Sequence, residues 1–299
     1  MNMLHINGLG KRFGDKDVLK GLTLSVPKHS VFGFVGKNGA GKTTTMKLVL
    51  GLIKADVGEI NVAGERVIYG DTRTNKYIGY LPDVPEFYSF MNASEYLAFC
   101  GEITEMSKRE IESRSKELLD LVGLGDETHR IKGFSRGMKQ RLGIAQALLN
   151  RPKLLICDEP TSALDPVGRK EILDILLSVR DQTTVLFSTH ILSDVERICT
   201  DVAFLNNGTI GVQGKLSDIK STYRTEEYLL EMEREKDAVI IQQTFPRMQR
   251  IGKNQVRFFE TDYLVFDVLR FISEKNILFL KMERVEPTLE SLFMEVIEK

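Results

Sequence analysis

A glycine-rich segment that contains a lysine and a threonine lies near the start of the chain. Residues 36–43 read Gly-Lys-Asn-Gly-Ala-Gly-Lys-Thr and fit the phosphate-binding pattern GxxxxGK[ST]. Glycines let the backbone curl so that successive N–H groups point at phosphate oxygens. Residues 42–50 follow with a helical pattern, and the positive end of the helix dipole also attracts anions. The segment therefore predicts a nucleotide phosphate site.

The residues of this loop are assigned separate tasks. Lys42 is expected to bind the β- and γ-phosphates, and the Thr43 hydroxyl is expected to bind Mg²⁺. The predicted nucleotide contacts are Gly36, Lys37, Asn38, Gly39, Ala40, Gly41, Lys42, Thr43 and Thr44. Lys37 occupies a variable position of the pattern, so it can equally be a solvated charge near phosphate. A chance lysine in a glycine-rich turn is the alternative, which the flanking strand and helix patterns disfavour.

Two carboxylates, Asp158 and Glu159, end an apolar segment about 115 residues further on. An apolar strand that ends in acids is the second part that a phosphate-loop ATPase needs. Asp158 is expected to hold Mg²⁺, and Glu159 to polarise the attacking water as the catalytic residue. An acidic turn after a buried strand is the alternative, and the nearby phosphate loop argues against it.

A second candidate anion site precedes these acids by about twenty residues. Residues 134–141 read Phe-Ser-Arg-Gly-Met-Lys-Gln-Arg. Ser135 is a suitable N-cap for a helix. The apolar face of that helix would be formed by Met138, Leu142, Ala145 and Leu149. A capping hydroxyl, free N–H groups and a helix dipole together can bind an anion.

Residues 134–141 resemble the signature motif of the ATP-binding cassette (ABC) ATPases, and the resemblance extends over roughly residues 1–215. It implies an α/β fold of the P-loop NTPase class, with a mostly parallel sheet core, an antiparallel N-terminal β-subdomain and a helical signature subdomain. It also implies ATP and Mg²⁺ as ligands and a homodimer closed over the nucleotides. Ser135 and Gly137 of one copy would bind the γ-phosphate of ATP held by the other copy.

The signature departs from the usual Leu-Ser-Gly-Gly-Gln. Phe134, Arg136 and Met138 replace the leucine, the first glycine and the glutamine. Ser135 and Gly137, which make the phosphate contacts in the family, remain. The resemblance therefore implies that the second anion site is retained.

Three further residues match family motifs, and all the motifs occur along the chain in the order that the family implies. Phe13 matches the aromatic residue that stacks on adenine, although alone it would be read as a core phenylalanine. Asp165 matches a residue that reaches across the dimer. His190 matches a catalytic histidine that contacts the γ-phosphate, although a lone histidine is more often structural.

One position is a clear exception. Asp83 stands where the family has a glutamine that contacts Mg²⁺ and signals to the membrane subunit. A carboxylate can still offer an oxygen to Mg²⁺, so Asp83 is expected to be a metal ligand with Thr43 and Asp158.

Residues 92–97, 138–141 and 286–293 resemble the ATPases of bacitracin, lantibiotic and other drug exporters. This likeness implies a separate integral-membrane permease subunit and a location at the cytoplasmic face of the cell membrane. The alternatives are an ABC ATPase that acts on ribosomes or DNA, a non-hydrolytic ATP-dependent regulator, and a small-molecule kinase. A kinase would leave residues 134–141 unexplained.

Strands must deliver these side chains to one edge of a sheet. Apolar runs predict strands at residues 31–35, 154–157 and 183–187, each followed by a polar or glycine-rich turn. A helix-rich insert is expected at residues 93–149. In it, Ser107 and Glu110 form a capping-box pattern, and Gly123 marks a helix end.

A break near residues 215–225 separates a second region. Residues 228–232, 255–259 and 277–282 have strand patterns. Helical patterns at residues 236–243 and 264–273 alternate with them, and a closing helix follows. The predicted domains are therefore an ATPase domain at residues 1–220 and a small α+β domain at residues 221–299.

Bulk composition excludes some partners. The 41 basic and 42 acidic side chains nearly cancel, so no global positive field attracts nucleic acid, and none is expected as a partner. No apolar run approaches the ~20 residues that cross a bilayer. A membrane function would therefore require another chain to form the pore.

Overall fold

The computed structural model describes residues 2–222, 226–285 and 288–298, with side chains described up to residue 293. The chain folds into two compact units, Met1–Ser217 with Phe293–Lys299, and Asp218–Leu292. That residues 1–220 and 221–299 are separate domains remains a prediction.

The strands of the first unit form two sheets. They are β1 (Asn2–Phe13), β2 (Lys16–Pro27), β3 (Val31–Gly36), β4 (Val57–Val62), β5 (Glu65–Arg66), β6 (Ile78–Leu81), β7 (Leu154–Asp158), β8 (Thr184–Thr189), β9 (Asp201–Asn206) and β10 (Thr209–Lys215). One sheet has the order β2-β1-β4-β5 and is antiparallel. The other has the order β10-β9-β3-β8-β7-β6, parallel except at its β10 edge.

Helices precede, interrupt and follow these strands. They are α1 (Lys42–Val49), α2 (Ala93–Ile103), α3 (Lys108–Leu121), α4 (Arg136–Leu148), α5 (Pro166–Ser178), α6 (Leu192–Ile198) and α7 (Leu216–Thr222). Single 3₁₀ turns occur at Asn75–Tyr77 and Ile131–Gly133. The predicted α/β class is confirmed, with an antiparallel N-terminal sheet and a helical insert.

The central strands are apolar on both faces because helices and the N-terminal sheet cover them. Every residue of β3, β7 and β8 is buried. Such strands read as continuous apolar runs rather than alternating ones, which is why the sequence revealed them. The predicted strands are confirmed but ended too early, because Gly36, Asp158 and Thr189 still belong to the ladder.

Local signals set the ends of the insert helices. Ser107 and Glu110 form the predicted capping box of α3, and Asn92 and Glu95 form another at α2. Gly123, with φ of +65°, follows the end of α3 as predicted. The break predicted at residues 215–225 is corrected in part, because α7 occupies Leu216–Thr222. Residues 223–225 lie outside the described chain.

The second unit is a small α+β fold. Its elements are β11 (Glu227–Met232), α8 (Glu235–Thr244), β12 (Gln249–Arg250), β13 (Gln255–Phe259), α9 (Val265–Glu274) and β14 (Phe279–Arg284). The last helix, α10 (Leu289–Glu298), begins in this unit and ends in the first. The sheet order is β12-β13-β11-β14, and every pairing is antiparallel. The succession from β11 to β14 is β-α-β-β-α-β, as in ferredoxin-like folds.

One face of this sheet packs against α8 and α9. Leu230, Val256 and Phe258 of the sheet form a core with Ile241 of α8 and Ile272 of α9. The alternating elements predicted for this region are confirmed. Residues 286–293 resemble the ATPases of drug exporters in sequence. Two of them, Glu286 and Pro287, lie outside the described residues.

The last predicted strand began two residues too early. Asn276, at φ +51°, follows α9, and its N–H donates to the Ser273 carbonyl at 3.1 Å. The N–H of Ile277 donates to the Ile272 carbonyl at 3.0 Å. These two bonds form a Schellman cap, so Ile277 ends the helix instead of starting the strand.

Candidate functional site

The carboxyl ends of three parallel strands meet at one edge of the central sheet. The glycine loop follows β3, the two acids end β7, and His190 follows β8. The register places Val35 opposite Thr189 and Asp158 opposite Ser188. Open α/β sheets bind ligands at this edge, so the topology collects the predicted residues.

The glycine loop is shaped by positions that exclude a side chain. Gly39 and Gly41 have φ of +81° and +114°, which only glycine adopts readily. A Cβ on Gly36 would lie 2.8 Å from the Leu205 carbonyl oxygen. The loop curls around the buried Lys42, whose Nζ donates to the carbonyls of Gly36 at 2.7 Å and Lys37 at 3.3 Å.

Glu159 lies between two cationic or potentially cationic groups. Its Oε1 is 3.0 Å from Lys42 Nζ, and its Oε2 is 2.9 Å from His190 Nδ1. Its backbone has φ of +48°, a conformation rarely adopted by residues other than glycine. Strain of this kind concentrates at functional sites, where the surrounding contacts maintain it.

Ser188 connects the two adjacent carboxylates. Its hydroxyl donates to Asp158 Oδ1 at 2.6 Å and accepts from the N–H of Glu159 at 3.0 Å. The side chain is fully buried. Sequence reasoning missed this residue because the strand was predicted to end at Phe187. Its position before Thr189 and His190, at the end of the third strand, is the signal that could have found it.

A cavity of about 430 Å³ opens beside these groups. The predicted residues that line it are Asn38, Gly39, Gly41, Lys42, Thr43, Thr44, Asp83, Glu159 and His190. Lys16, Val18 and Ser162 also line it and were not predicted as contacts. A glycine loop, a lysine and a carboxylate at one cavity suit a nucleoside triphosphate and its hydrolysis.

Asp83 is held at the cavity by α4, the helix that Ser135 caps. Its carbonyl accepts from the buried amide of Gln140 at 2.7 Å, and its carboxylate is 3.7 Å from Arg136 Nη2. Burial raises the pKa of the Asp83 carboxyl, an effect that Arg136 opposes and that Asp158 and Glu159 reinforce. Two residues that depart from the family pattern, Asp83 and Arg136, are therefore paired.

The oxygen ligands of this site suit an Mg²⁺ ion that also binds substrate phosphates, rather than a metal ion bound by protein side chains alone. The buried Oδ1 of Asp83 lacks a hydrogen-bond donor, while Thr43 and Asp158 offer further oxygens. Among the described residues, no group of three or more His, Cys, Asp or Glu is arranged to hold a metal ion. Mg²⁺ commonly binds one or two carboxylates together with substrate phosphates, which matches this set.

Eight predicted residues do not line the cavity, and four of these, Phe13, Ser135, Gly137 and Asp165, lie outside the glycine loop and the acidic strand end. Phe13 is 49% exposed at the end of β1, where it pairs in register with Lys16. Ser135 is exposed and caps α4, accepting from the Met138 N–H at 3.2 Å, and Gly137 follows in the first turn of that helix. Asp165 caps α5.

The other predicted residues that do not line the cavity lie close behind it along the chain or the sheet. Gly36 and Lys37 contribute carbonyls to the Lys42 ammonium, whereas the Lys37 side chain is exposed. Ala40 is partly buried and packs against the core of the first unit. Asp158 does not line the cavity, and its carboxylate accepts a hydrogen bond from the Ser188 hydroxyl.

Comparison with known proteins identifies the family. Residues 19–162 match the family described as ABC transporter. The chain is 43% identical over 229 residues to an uncharacterized ABC transporter ATP-binding protein, YxlF, of Bacillus subtilis, and 76% of each protein is covered. The chain belongs to the ATP-binding cassette family.

Two further comparisons describe the kind of cassette. The bacitracin transport ATP-binding protein BcrA of Bacillus licheniformis is 37% identical over 240 residues, which cover 79% of this chain and 78% of BcrA. The ATP-binding cassette MJ0796, solved as a dimer in a post-hydrolysis state bound to ADP and Pi, aligns with a TM-score of 0.64 and 25% identity. That alignment covers 72% of this chain and 99% of MJ0796.

These findings confirm the predicted ABC ATPase fold and the resemblance to the bacitracin and drug-efflux group. This cassette is the ATP-binding subunit of a transporter. Within its described residues, no helix combines the length and the apolar character that spanning a bilayer requires.

Proposed function

We propose that this cassette hydrolyses ATP as a homodimer and drives a separate membrane-spanning permease, as part of an exporter at the cytoplasmic face of the membrane. The observation that carries the catalytic part is the position of Glu159, between Lys42 at 3.0 Å and His190 at 2.9 Å. A carboxylate that is oriented on both sides beside a phosphate-binding loop is suited to act as a general base.

The contacts of Lys42 suggest how the site responds to ATP. Its ammonium group binds two carbonyl oxygens and the Glu159 carboxylate. The β- and γ-phosphate oxygens of ATP would compete for this ammonium, which releases one carboxylate oxygen of Glu159. Glu159 can then accept a proton from the attacking water while His190 keeps the other oxygen in place. The water oxygen bonds to the γ-phosphorus, and the bond to the ADP oxygen breaks.

Thr43, Asp158 and Asp83 are the residues that would hold Mg²⁺. When bound, the ion would neutralise charge on the phosphates. Ser188 keeps Asp158 oriented through the 2.6 Å hydrogen bond, and the same hydroxyl holds the backbone of Glu159. The metal ligand and the proposed base are therefore positioned by one side chain.

The dimer part of the proposal is supported by residues at two helix N-termini. Ser135 caps α4, Gly137 lies in its first turn, and Asp165 caps α5, yet none of the three lines the cavity of the same chain. N–H groups at a helix start can bind a phosphate. A second copy would bring this helix end to the γ-phosphate, and the solved cassette MJ0796 is a dimer bound to ADP and Pi. The open-to-closed equilibrium then shifts by the difference in ATP affinity between the two states.

The permease and the exporter direction are supported by the relatives. BcrA is named for bacitracin transport, and the motifs at residues 92–97 and 138–141 resemble those of drug exporters. Phe13, beside the cavity-lining Lys16 in the β1–β2 pairing, is proposed to stack on adenine.

Glu159→Gln tests the proposal. The variant should bind Mg-ATP, lose steady-state turnover by at least about a hundredfold and accumulate as an ATP-bound dimer. Glu112→Gln, at an exposed position of α3, is the matched control and should retain turnover. Full turnover by Glu159→Gln would exclude Glu159 as the base, and a monomeric ATP complex would exclude the dimer.

A further inference from the structure

The two edges of the sheet in the second unit differ in length and in surface. The β12 edge has two residues, Gln249 and Arg250, both exposed. The β14 edge has six residues, and β14 pairs only with β11 among the described strands. A short strand is one way to protect an edge from further pairing. β14 is longer, although its register with β11 shifts between Phe279 and Lys281 and its second half is mostly charged.

Three consecutive apolar side chains are exposed at the start of β14. Leu278, Phe279 and Leu280 are consecutive and 59%, 43% and 64% exposed. Exposed apolar residues on a long edge strand mark a surface that pairs with another strand. This surface lies in the second unit alone and does not depend on the function proposed above.

The hydrogen-bonding pattern shows which backbone groups point outward. The N–H of Val285 donates to the Glu227 carbonyl at 2.8 Å, so residues 281, 283 and 285 direct their backbone groups towards β11. Backbone direction alternates along a regular strand, and the register with β11 is regular from Lys281 to Val285, with a shift between Phe279 and Lys281. Met282 therefore directs its N–H and carbonyl groups away from β11.

The side chains around Met282 are self-complementary in charge. Lys281 and Glu283 lie on either side of it and form an ion pair at 2.7 Å within the strand. If two copies of β14 pair antiparallel about a two-fold axis at Met282, Lys281 of each copy lies opposite Glu283 of the other. In the same register, the outward backbone groups of the two Met282 residues face each other. Charge and backbone pattern independently select this register.

We propose that β14 is a self-association edge that pairs with β14 of a second copy of this chain, independently of nucleotide. Pairing would join the two sheets into one continuous sheet. The contact is isologous, because the same patch serves both copies, and it would close as a two-fold dimer.

Charge reversal at the edge gives a specific test on the full-length, nucleotide-free protein. Sedimentation velocity over a concentration series should show reversible dimers of the wild type. Lys281→Glu and Glu283→Lys should each raise the dimer dissociation constant on the order of tenfold, because like charges then face each other twice. Lys236→Glu, at an exposed position of α8, is the control and should leave the constant unchanged.

Mixing the two single variants is the decisive step. In a mixed dimer, the glutamate introduced at position 281 of one chain would face the lysine introduced at position 283 of the other. The native Glu283 of the first chain would face the native Lys281 of the second, so an equimolar mixture should recover wild-type association. Thermal unfolding of each variant establishes that it is folded. A wild type that stays monomeric over the whole series, or a mixture that associates no better than either variant, overturns the proposal.

Discussion

Replacement of Ser188 by alanine would remove one hydroxyl from the centre of the site. That hydroxyl donates to Asp158 and accepts from the backbone of Glu159, and it is inaccessible to solvent. Alanine fits the same space, so packing changes little. The substitution therefore isolates the contribution of two buried hydrogen bonds.

The expected loss of stability follows from those two bonds. A hydrogen bond to a charged group contributes about 1.5–3 kcal/mol, and a buried donor left unpaired costs about 1–3 kcal/mol. We expect the free energy of unfolding of the first unit to fall by about 3 kcal/mol. For a domain of about 200 residues, this corresponds to a melting temperature lower by about 6–12 °C.

Denaturation followed by circular dichroism, together with a steady-state ATPase assay, measures both consequences. Turnover should fall because Asp158 and Glu159 lose their common orienting partner. Ser178→Ala is the matched control, since that exposed hydroxyl donates only to the Ile175 carbonyl of its own helix. If Ser188→Ala changes stability no more than the control and retains full turnover, Ser188 does not position the two carboxylates.

Two further substitutions test charges near the site. Asp194→Asn should destabilise the first unit by about 3 kcal/mol, because Asp194 is 2% exposed and its Oδ1 is 2.6 Å from Arg169 Nη2. Urea denaturation measures this loss, and an unchanged midpoint would contradict it. Asp83→Asn should raise stability at neutral pH relative to the wild type. Burial raises the pKa of Asp83, so the wild type loses stability as pH rises through that pKa. The difference should disappear below about pH 4, and a pH-independent difference would refute the linkage.

The edge of the central sheet that holds the candidate site could be predicted from the sequence, because its motifs stand at the ends of strongly apolar strands. Gly36 to Thr43 form a local pattern, and the strands that precede Asp158 and His190 are buried throughout. Helix caps such as Ser107 depend on neighbours within three residues, so their signals are also local. The resemblance to the ABC family then supplied the order of the remaining motifs.

Contacts that depend on strand register could not be predicted in this way. Ser188 meets Asp158 because β7 and β8 pair in one register, which the sequence of either strand alone does not specify. The Asp83–Arg136 pair joins residues 53 positions apart and requires the packing of α4 against the sheet. The edge at β14 is visible only once the strand order of the second unit is known.

The central claim is that one nucleotide is shared between Lys42 of one copy and Ser135 of another. Lys42→Ala removes a phosphate contact, and Ser135→Asp keeps an N-cap while placing a negative charge beside the γ-phosphate. Each variant alone should lack ATPase activity. In an equimolar mixture, about half of the dimers are mixed and each has one intact site, so activity should recover to about a quarter of wild type. A mixture as inactive as its two components would contradict the shared site.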